Sequence, residues 1–216
     1  MSLIDNYKLI RSKINALSSK VTLVAVSKTF SLNHIKPLIE FGHLDYGENK
    51  VQEATQKWTD LIALRKDLKL HMVGNVQSNK AEQVVKIFSY VHSLDSEKLA
   101  DKFAMIQSNF NKQLKYFIQV NIGNEIQKKG LDISLVPQFV NYCQKELKLN
   151  ILGLMCIPPI STSPDVFFSK LRDLNDSFNF KDLSMGMSSD FETAIKYGAN
   201  YVRIGSSLFG ERAKQF

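Results

Sequence analysis

Short apolar runs alternate with longer stretches of helical periodicity along the chain, and this alternation limits the fold more than any other feature. The runs fall within Val21–Thr29, Leu44–Tyr46, Leu70–Gly74, Tyr90–Leu94, Tyr116–Asn121, Ile151–Cys156, Asp182–Met185 and Tyr201–Ile204. In the first of them the residues are apolar or β-branched almost throughout, the pattern of a strand covered on both faces, as in a parallel sheet. A first helix is expected over Leu3–Leu17, where Leu3, Ile4, Tyr7, Ile10, Ile14 and Leu17 recur mostly at spacings of three or four. Ser31 is an expected N-cap for a helix through Phe41 that Gly42 ends, and Gly47-Glu48-Asn49 turns into a helix reaching about Leu64. Further helices are expected after Ser78, after a cap at Asp95 or Ser96 as far as Phe110, and over Ser134–Leu147. Another covers Ser163–Phe178 with Pro164 at its first position, one follows a cap at Ser188 or Ser189 to Tyr197, and Ser206 opens a last turn.

Strict strand–helix alternation requires parallel strands joined by helical crossovers. Eight such units in 216 residues give the arithmetic of an α/β protein built as a single (β/α)8 barrel, with one extra N-terminal helix and one domain over 1–216. An open doubly wound sheet is the alternative. Its first turn is normally Gly-rich, whereas here that turn is Ser27-Lys28-Thr29.

Composition narrows the function classes. With 44% hydrophobic and 23% charged residues, the chain has the balance of an ordinary water-soluble globular protein. No stretch approaches the roughly 18 apolar residues of a membrane helix, and Met1–Lys20 lacks the apolar centre of a secretory signal. Cys143 and Cys156 form no CxxC, and His34, His43, His71 and His92 are scattered, so no metal site is expected. Few cysteines and no leader point to a cytoplasmic protein. A net charge of +7 would suit nucleic acid, but the basic residues are spread along the chain, adjacent only at Arg65-Lys66 and Lys128-Lys129, and no nucleic-acid partner is expected.

In such a barrel the site lies at the C-terminal ends of the strands. Those ends present Lys28, Asn49, His71 with Gly74, Ser93 with Asp95, Gln119 with Asn121, Met155, Ser184 with Ser188, and Arg203 with Gly205. Singly, each has a plain structural explanation: Ser188 and Asp95 as caps, His71 as a satisfied core histidine, Asn121 as a turn closer. Lys28 either reaches solvent at a strand tip or serves chemistry, because a partly buried lysine favours a Schiff base with a carbonyl. Arg203 sits in an otherwise apolar strand, and a buried guanidinium needs a carboxylate or a ligand atom to accept from it. Gly186-Met187-Ser188-Ser189 and Gly205-Ser206-Ser207 combine close backbone approach, hydroxyls and helix starts, which suits a phosphate. Lysine, arginine and phosphate cradle together suggest a phosphorylated aldehyde, and pyridoxal 5'-phosphate fits that description.

The chain also resembles the pyridoxal phosphate homeostasis protein family, small relatives of the alanine racemase barrel. The matching stretches are Ala25-Val26-Ser27-Lys28-Thr29, Tyr46-Gly47-Glu48-Asn49 with Gln52-Glu53, and His71-Met72-Val73-Gly74 with Gln77-Ser78-Asn79-Lys80. They continue through Gln119-Val120-Asn121-Ile122, Gly153-Leu154-Met155, Leu183-Ser184-Met185-Gly186-Met187-Ser188 with Asp190, and Arg203-Ile204-Gly205 with Phe209-Gly210. The resemblance implies a barrel of the alanine racemase N-terminal-domain type that holds pyridoxal phosphate covalently on Lys28. It implies Arg203 at the pyridine nitrogen, Ser188, Gly205 and Ser206 at the phosphate, Asn49 beside the ring and Met155 packed against it. An arginine at that nitrogen disfavours its protonation and weakens the ring as an electron sink.

The expected function is therefore reversible pyridoxal phosphate binding in cellular vitamin B6 homeostasis, with little or no catalysis and with apoenzymes as candidate acceptors. The chain carries no second, all-β domain of the racemase kind, so a monomer is expected. A racemase of low activity is the alternative, with His71 or Tyr46 as the second base. A third reading is a cofactor-free Schiff-base aldolase.

Overall fold

Eight parallel strands pair in sequence order and close into a barrel through β1 and β8. The computed structural model describes residues 2–125, 127, 129–159 and 163–210. The strands are β1 (Thr22–Val26), β2 (Asp45–Glu48), β3 (Lys69–Met72), β4 (Tyr90–Leu94), β5 (Lys115–Gln119), β6 (Asn150–Met155), β7 (Asp182–Ser184) and β8 (Tyr201–Ile204). Around them lie α1 (Leu3–Leu17), α2 (Leu32–Glu40), α3 (Val51–Leu64), α4 (Ala81–Ile87), α5 (Glu97–Phe110), α6 (Val136–Asn141), α7 (Pro164–Ser177), α8 (Phe191–Lys196) and α9 (Ser206–Phe209). This is the expected (β/α)8 barrel with its additional first helix.

Strand alternation sorts the side chains into two cores. Leu23, Ala25, Tyr46, Leu70, Met72, Val91, Tyr116, Ile118, Leu183, Val202 and Ile204 face outward and pack under the helices in one continuous cluster. The inward set contains Tyr90, Phe117 and Met155, with Leu152 and Tyr201 against them. It also contains His71, His92, Ser184 and Arg203, all buried. This interior is therefore aromatic and polar where barrels of this kind usually stack branched aliphatics. His71 stacks on Tyr90 at 4.2 Å between centroids, and His92 on Phe117 at 4.6 Å.

The extra helix begins with a reciprocal capping box between Ser2 and Asp5 and packs against α2, α8 and α9. Several boundaries differ from expectation for local reasons. β1 stops at Val26, and Ser27 to Phe30 form a turn closed by Phe30 N–H donating to the Ser27 carbonyl at 3.2 Å. The expected helix over Ser134–Leu147 is a short 3-10 turn at Ile133–Leu135, then α6, then a π-helical turn at Tyr142–Glu146. The N-cap of α8 is Asp190 rather than Ser188 or Ser189, and Asp190 Oδ1 accepts from Met187 N at 2.6 Å, closing the loop that carries Ser188. Among the described residues no helix is long and apolar enough to cross a membrane.

Candidate functional site

A cavity of about 650 Å3 opens at the C-terminal ends of the strands. Its walls come from Val26 at the end of β1 with Lys28 and Phe30 after it, Asn49 after β2, Val73, Gly74 and Asn75 after β3, and Gln119 at the end of β5 with Asn121 and Lys129 after it. Ile157, Met187, Ser188 and Ser189 follow β6 and β7, and Arg203, Gly205, Ser206 and Gly210 complete the ring. Lys28, Lys129 and Arg203 are cationic, and no Asp or Glu lines the cavity among the described residues. Such a wall favours an anion, because positive charge gathered around a concave space draws counter-charge into it.

Lys28 stands on a turn clamped from outside the barrel. Ser27 Oγ donates to Glu48 Oε1 at 2.8 Å, and Lys57 Nζ reaches the Ser27 carbonyl at 2.9 Å. Glu48 Oε1 also accepts from Lys57 Nζ and from Trp58 Nε1, each at 2.9 Å. The side chains of Glu48 and Lys57 are 0% and 8% exposed. Burial raises the Glu48 carboxyl above its ordinary range even though the Lys57 charge pulls the other way. Glu53 accepts from Thr29 N–H and from Lys57, joining α3 to the far side of the turn. Thr29 has φ of 70°, a left-handed conformation costly for a β-branched residue. The strain sits directly after Lys28, where Glu53 holds the backbone.

Arg203 enters the cavity from β8. Its Nη1 donates to Ser184 Oγ at 2.6 Å and its Nη2 to the Cys156 carbonyl at 2.9 Å. Both acceptors are neutral, and among the described residues Arg203 forms no ion pair. Burial draws its guanidinium down to about 10, so it stays charged at neutral pH. Behind it a line of hydrogen bonds crosses the barrel: Ser184 Oγ to His92 Nδ1 at 2.7 Å, His92 Nε2 to His71 Nδ1 at 3.0 Å, and His71 Nε2 to Asp45 Oδ1 at 3.1 Å. Desolvation keeps both imidazoles below their ordinary titration range, His92 well below.

The serine loops meet beside Arg203. Ser188 Oγ accepts from the N–H groups of Gly205 at 3.4 Å and Ser207 at 3.3 Å, so the ends of β7 and β8 are tied together at the cavity edge. Gly186 opens the first loop at φ of 90°, and a Cβ there would lie 2.6 Å from that of Ala194. Across the cavity, a Cβ on Gly74 would overlap the Asn49 backbone, so only glycine lets the β3 loop hold Asn49 in place. Ser93 Oγ fixes the same loop by donating to the Gly74 carbonyl at 2.6 Å.

Six of the seven expected site residues, Lys28, Asn49, Ser188, Arg203, Gly205 and Ser206, line this one cavity. Met155 does not: it is fully buried with Tyr90 and Phe117 in the inner cluster and is absent from the cavity lining. His71 lies inside the barrel in the line just described, and Tyr46 faces outward against Trp58, so neither reaches the cavity wall. Asn121 closes its turn on Glu125 and lines the cavity as well. Sequence reading missed the roles of Glu48, Lys57, Trp58 and His92. Glu48 lay in view inside a recognised motif, but only pairing across β2 and α3 gives it partners. Cys143 and Cys156 are buried free thiols, both raised to about 12 by burial.

Comparison with known proteins agrees with this geometry. The family described as alanine racemase, N-terminal domain, matches residues 2–213. The pyridoxal phosphate homeostasis protein of Aquifex aeolicus (strain VF5) is 38% identical over 199 residues, 88% of this chain and 86% of that protein. The protein of the same name from Schizosaccharomyces pombe is 36% identical over 219 residues, 94% of this chain and 90% of that one. The structure of PipY of Synechococcus elongatus PCC7942 with PLP bound superposes with a TM-score of 0.88 at 31% identity, covering 97% of this chain and 100% of that chain. Alanine racemase of Clostridium difficile 630 shares the fold at a TM-score of 0.72 and 16% identity, with 98% of this chain matched to 58% of the racemase.

Proposed function

From the premise that this chain belongs to the pyridoxal phosphate homeostasis protein family, on the barrel of the alanine racemase N-terminal domain, we propose that it binds pyridoxal 5'-phosphate in the cavity at its strand ends and buffers the cell's supply. The observation that carries the reading is the lining itself: three cationic side chains and two serine loops around a space of about 650 Å3, with no carboxylate in the lining among the described residues. In this reading Lys28 Nζ condenses with the aldehyde and water leaves. Ser188, Gly205 and Ser206 take the phosphate, Arg203 faces the pyridine nitrogen, and Asn49 flanks the ring. Arg203 stays charged at neutral pH and so denies that nitrogen a proton, which suits storage better than turnover.

The same reading takes the chain as one cofactor-binding barrel domain that works as a monomer in the cytoplasm and hands its cargo to apoenzymes. Two buried free thiols support a reducing compartment. The racemase alternative asks for a second base facing the α-carbon, and the two candidates for that role, His71 and Tyr46, are outside the cavity lining. The test is the visible absorbance of wild type and Lys28→Ala after addition of pyridoxal phosphate and removal of the excess. A yellow band in wild type that the variant lacks is the expected result. A band that survives Lys28→Ala would move the attachment to another lysine, and no band in either would overturn the reading.

A further inference from the structure

We propose that Asp45, His71, His92 and Ser184 form a one-way hydrogen-bond chain through the barrel that fixes the Arg203 guanidinium at the cavity wall, with His92 and Ser184 as its positioning residues. The proposal rests on the cavity being the ligand site described above. Both ends of the chain have a fixed sense. Asp45 Oδ1, as a carboxylate oxygen, can only accept, so His71 carries its proton on Nε2, 3.1 Å away. With burial keeping that ring neutral, His71 Nδ1 is an acceptor for the Nε2–H of His92 at 3.0 Å. His92 Nδ1 is then bare and takes the Ser184 hydroxyl hydrogen at 2.7 Å.

At the other end Arg203 can only donate. Ser184 Oγ, having given its hydrogen to His92, presents lone pairs to Nη1 at 2.6 Å, while the Cys156 carbonyl holds Nη2 at 2.9 Å. Two acceptors on the two terminal nitrogens set the plane of the guanidinium. Reversing the chain would place an N–H of His92 on Ser184 Oγ and leave the serine hydrogen without an acceptor in a buried setting, which is unfavourable. Three polar side chains in the middle of a barrel, His71, His92 and Ser184, need a reason to displace an aliphatic layer. Holding a cation that has no carboxylate partner among the described residues supplies one.

The test uses the whole free protein labelled with nitrogen-15. In wild type at neutral pH, His71 and His92 are expected to show protonated Nε2 and bare Nδ1, and Arg203 to show separate Nη signals because rotation of its terminal nitrogens is blocked. Ser184→Ala is expected to merge those Nη signals and to weaken pyridoxal phosphate binding roughly tenfold, the effect of losing one hydrogen bond to a charged group. Asp45→Ala, at the barrel base where the carboxylate is 19% exposed, is expected to release His71 into a mixture of tautomers. A proton on Nδ1 of either ring in wild type overturns the proposal, and this measurement needs no variant to fold. Unchanged Nη signals in Ser184→Ala, or an unchanged His71 tautomer in Asp45→Ala, overturn it as well. Failure of wild type to take up pyridoxal phosphate would instead count against the binding reading, with the nitrogen spectra of the free protein still deciding the chain.

Discussion

Lys57→Met removes the cation paired with Glu48 while keeping most of the stem that packs there. Glu48 Oε1 would retain Ser27 Oγ at 2.8 Å and Trp58 Nε1 at 2.9 Å, but Oε2 already lacks a partner, and the carboxylate is fully buried. Breaking a buried pair by deleting one member costs about 3–5 kcal/mol when the remaining charge must persist. Here protonation sets a ceiling. Neutralising a carboxyl of ordinary pKa 4.5 at about pH 7 costs about 3.4 kcal/mol at about 1.4 kcal/mol per unit, and burial has already raised Glu48 part of the way. The loss at about pH 7 therefore stays below that ceiling, and at about pH 5 it falls below about 1 kcal/mol. The sign follows from the direction of the shift. A raised carboxyl binds its proton more tightly when folded, so stability falls as pH rises from 4.5 through the folded value, and removing Lys57 extends that window upward. Urea unfolding of both proteins at the two pH values measures this. Adding Glu48→Gln to Lys57→Met should recover most of the loss, since the amide oxygen still accepts from Ser27 and Trp58. A loss that is equal at both pH values, or a double variant no better than the single one, would refute the reasoning.

Three further outcomes are expected. Thr29→Gly relieves a left-handed φ of 70° and should stabilise the fold by about 1 kcal/mol, read as a melting temperature raised by about 2–4 °C. Gly74→Ala forces a Cβ into the Asn49 backbone and should cost about 1–3 kcal/mol in urea unfolding while impairing pyridoxal phosphate uptake. His43 is held down to about 4, chiefly by burial, and donates from Nε2 to the Asp45 carbonyl at 2.9 Å as a neutral ring. Its contribution is complete above the ordinary value of 6.5 and is lost as pH falls towards 4, so His43→Phe should flatten the acid limb of a stability–pH curve, with the curve of wild type as control.

The sequence by itself determined the order and kind of the elements. Apolar runs separated by helical periodicity can bury themselves only as parallel strands with helical crossovers, and α1, β4 and β8 begin and end where their patterns do. It also determined which side of each strand a residue takes, which is why the alternation of Val24, Val26 and Lys28 carried the lysine to the cavity even though β1 ends at Val26. Six of the expected residues line the cavity, because the end of a strand is visible as a change from apolar to polar residues.

What only the tertiary structure decided is which inward residues meet, and at what depth. Periodicity gives a side chain its face but not its height in a closed barrel, which depends on the stagger between paired strands. Met155, the last residue of β6, therefore lies in the buried inner layer beneath the cavity lining, whereas Lys28 and Asn49 stand beyond the ends of β1 and β2. His71, His92 and Ser184 come from three different strands and join Arg203 only when β1 meets β8. Glu48 and Lys57 find each other because α3 lies over β2, and only that packing makes the two charges a buried clamp on the lysine turn.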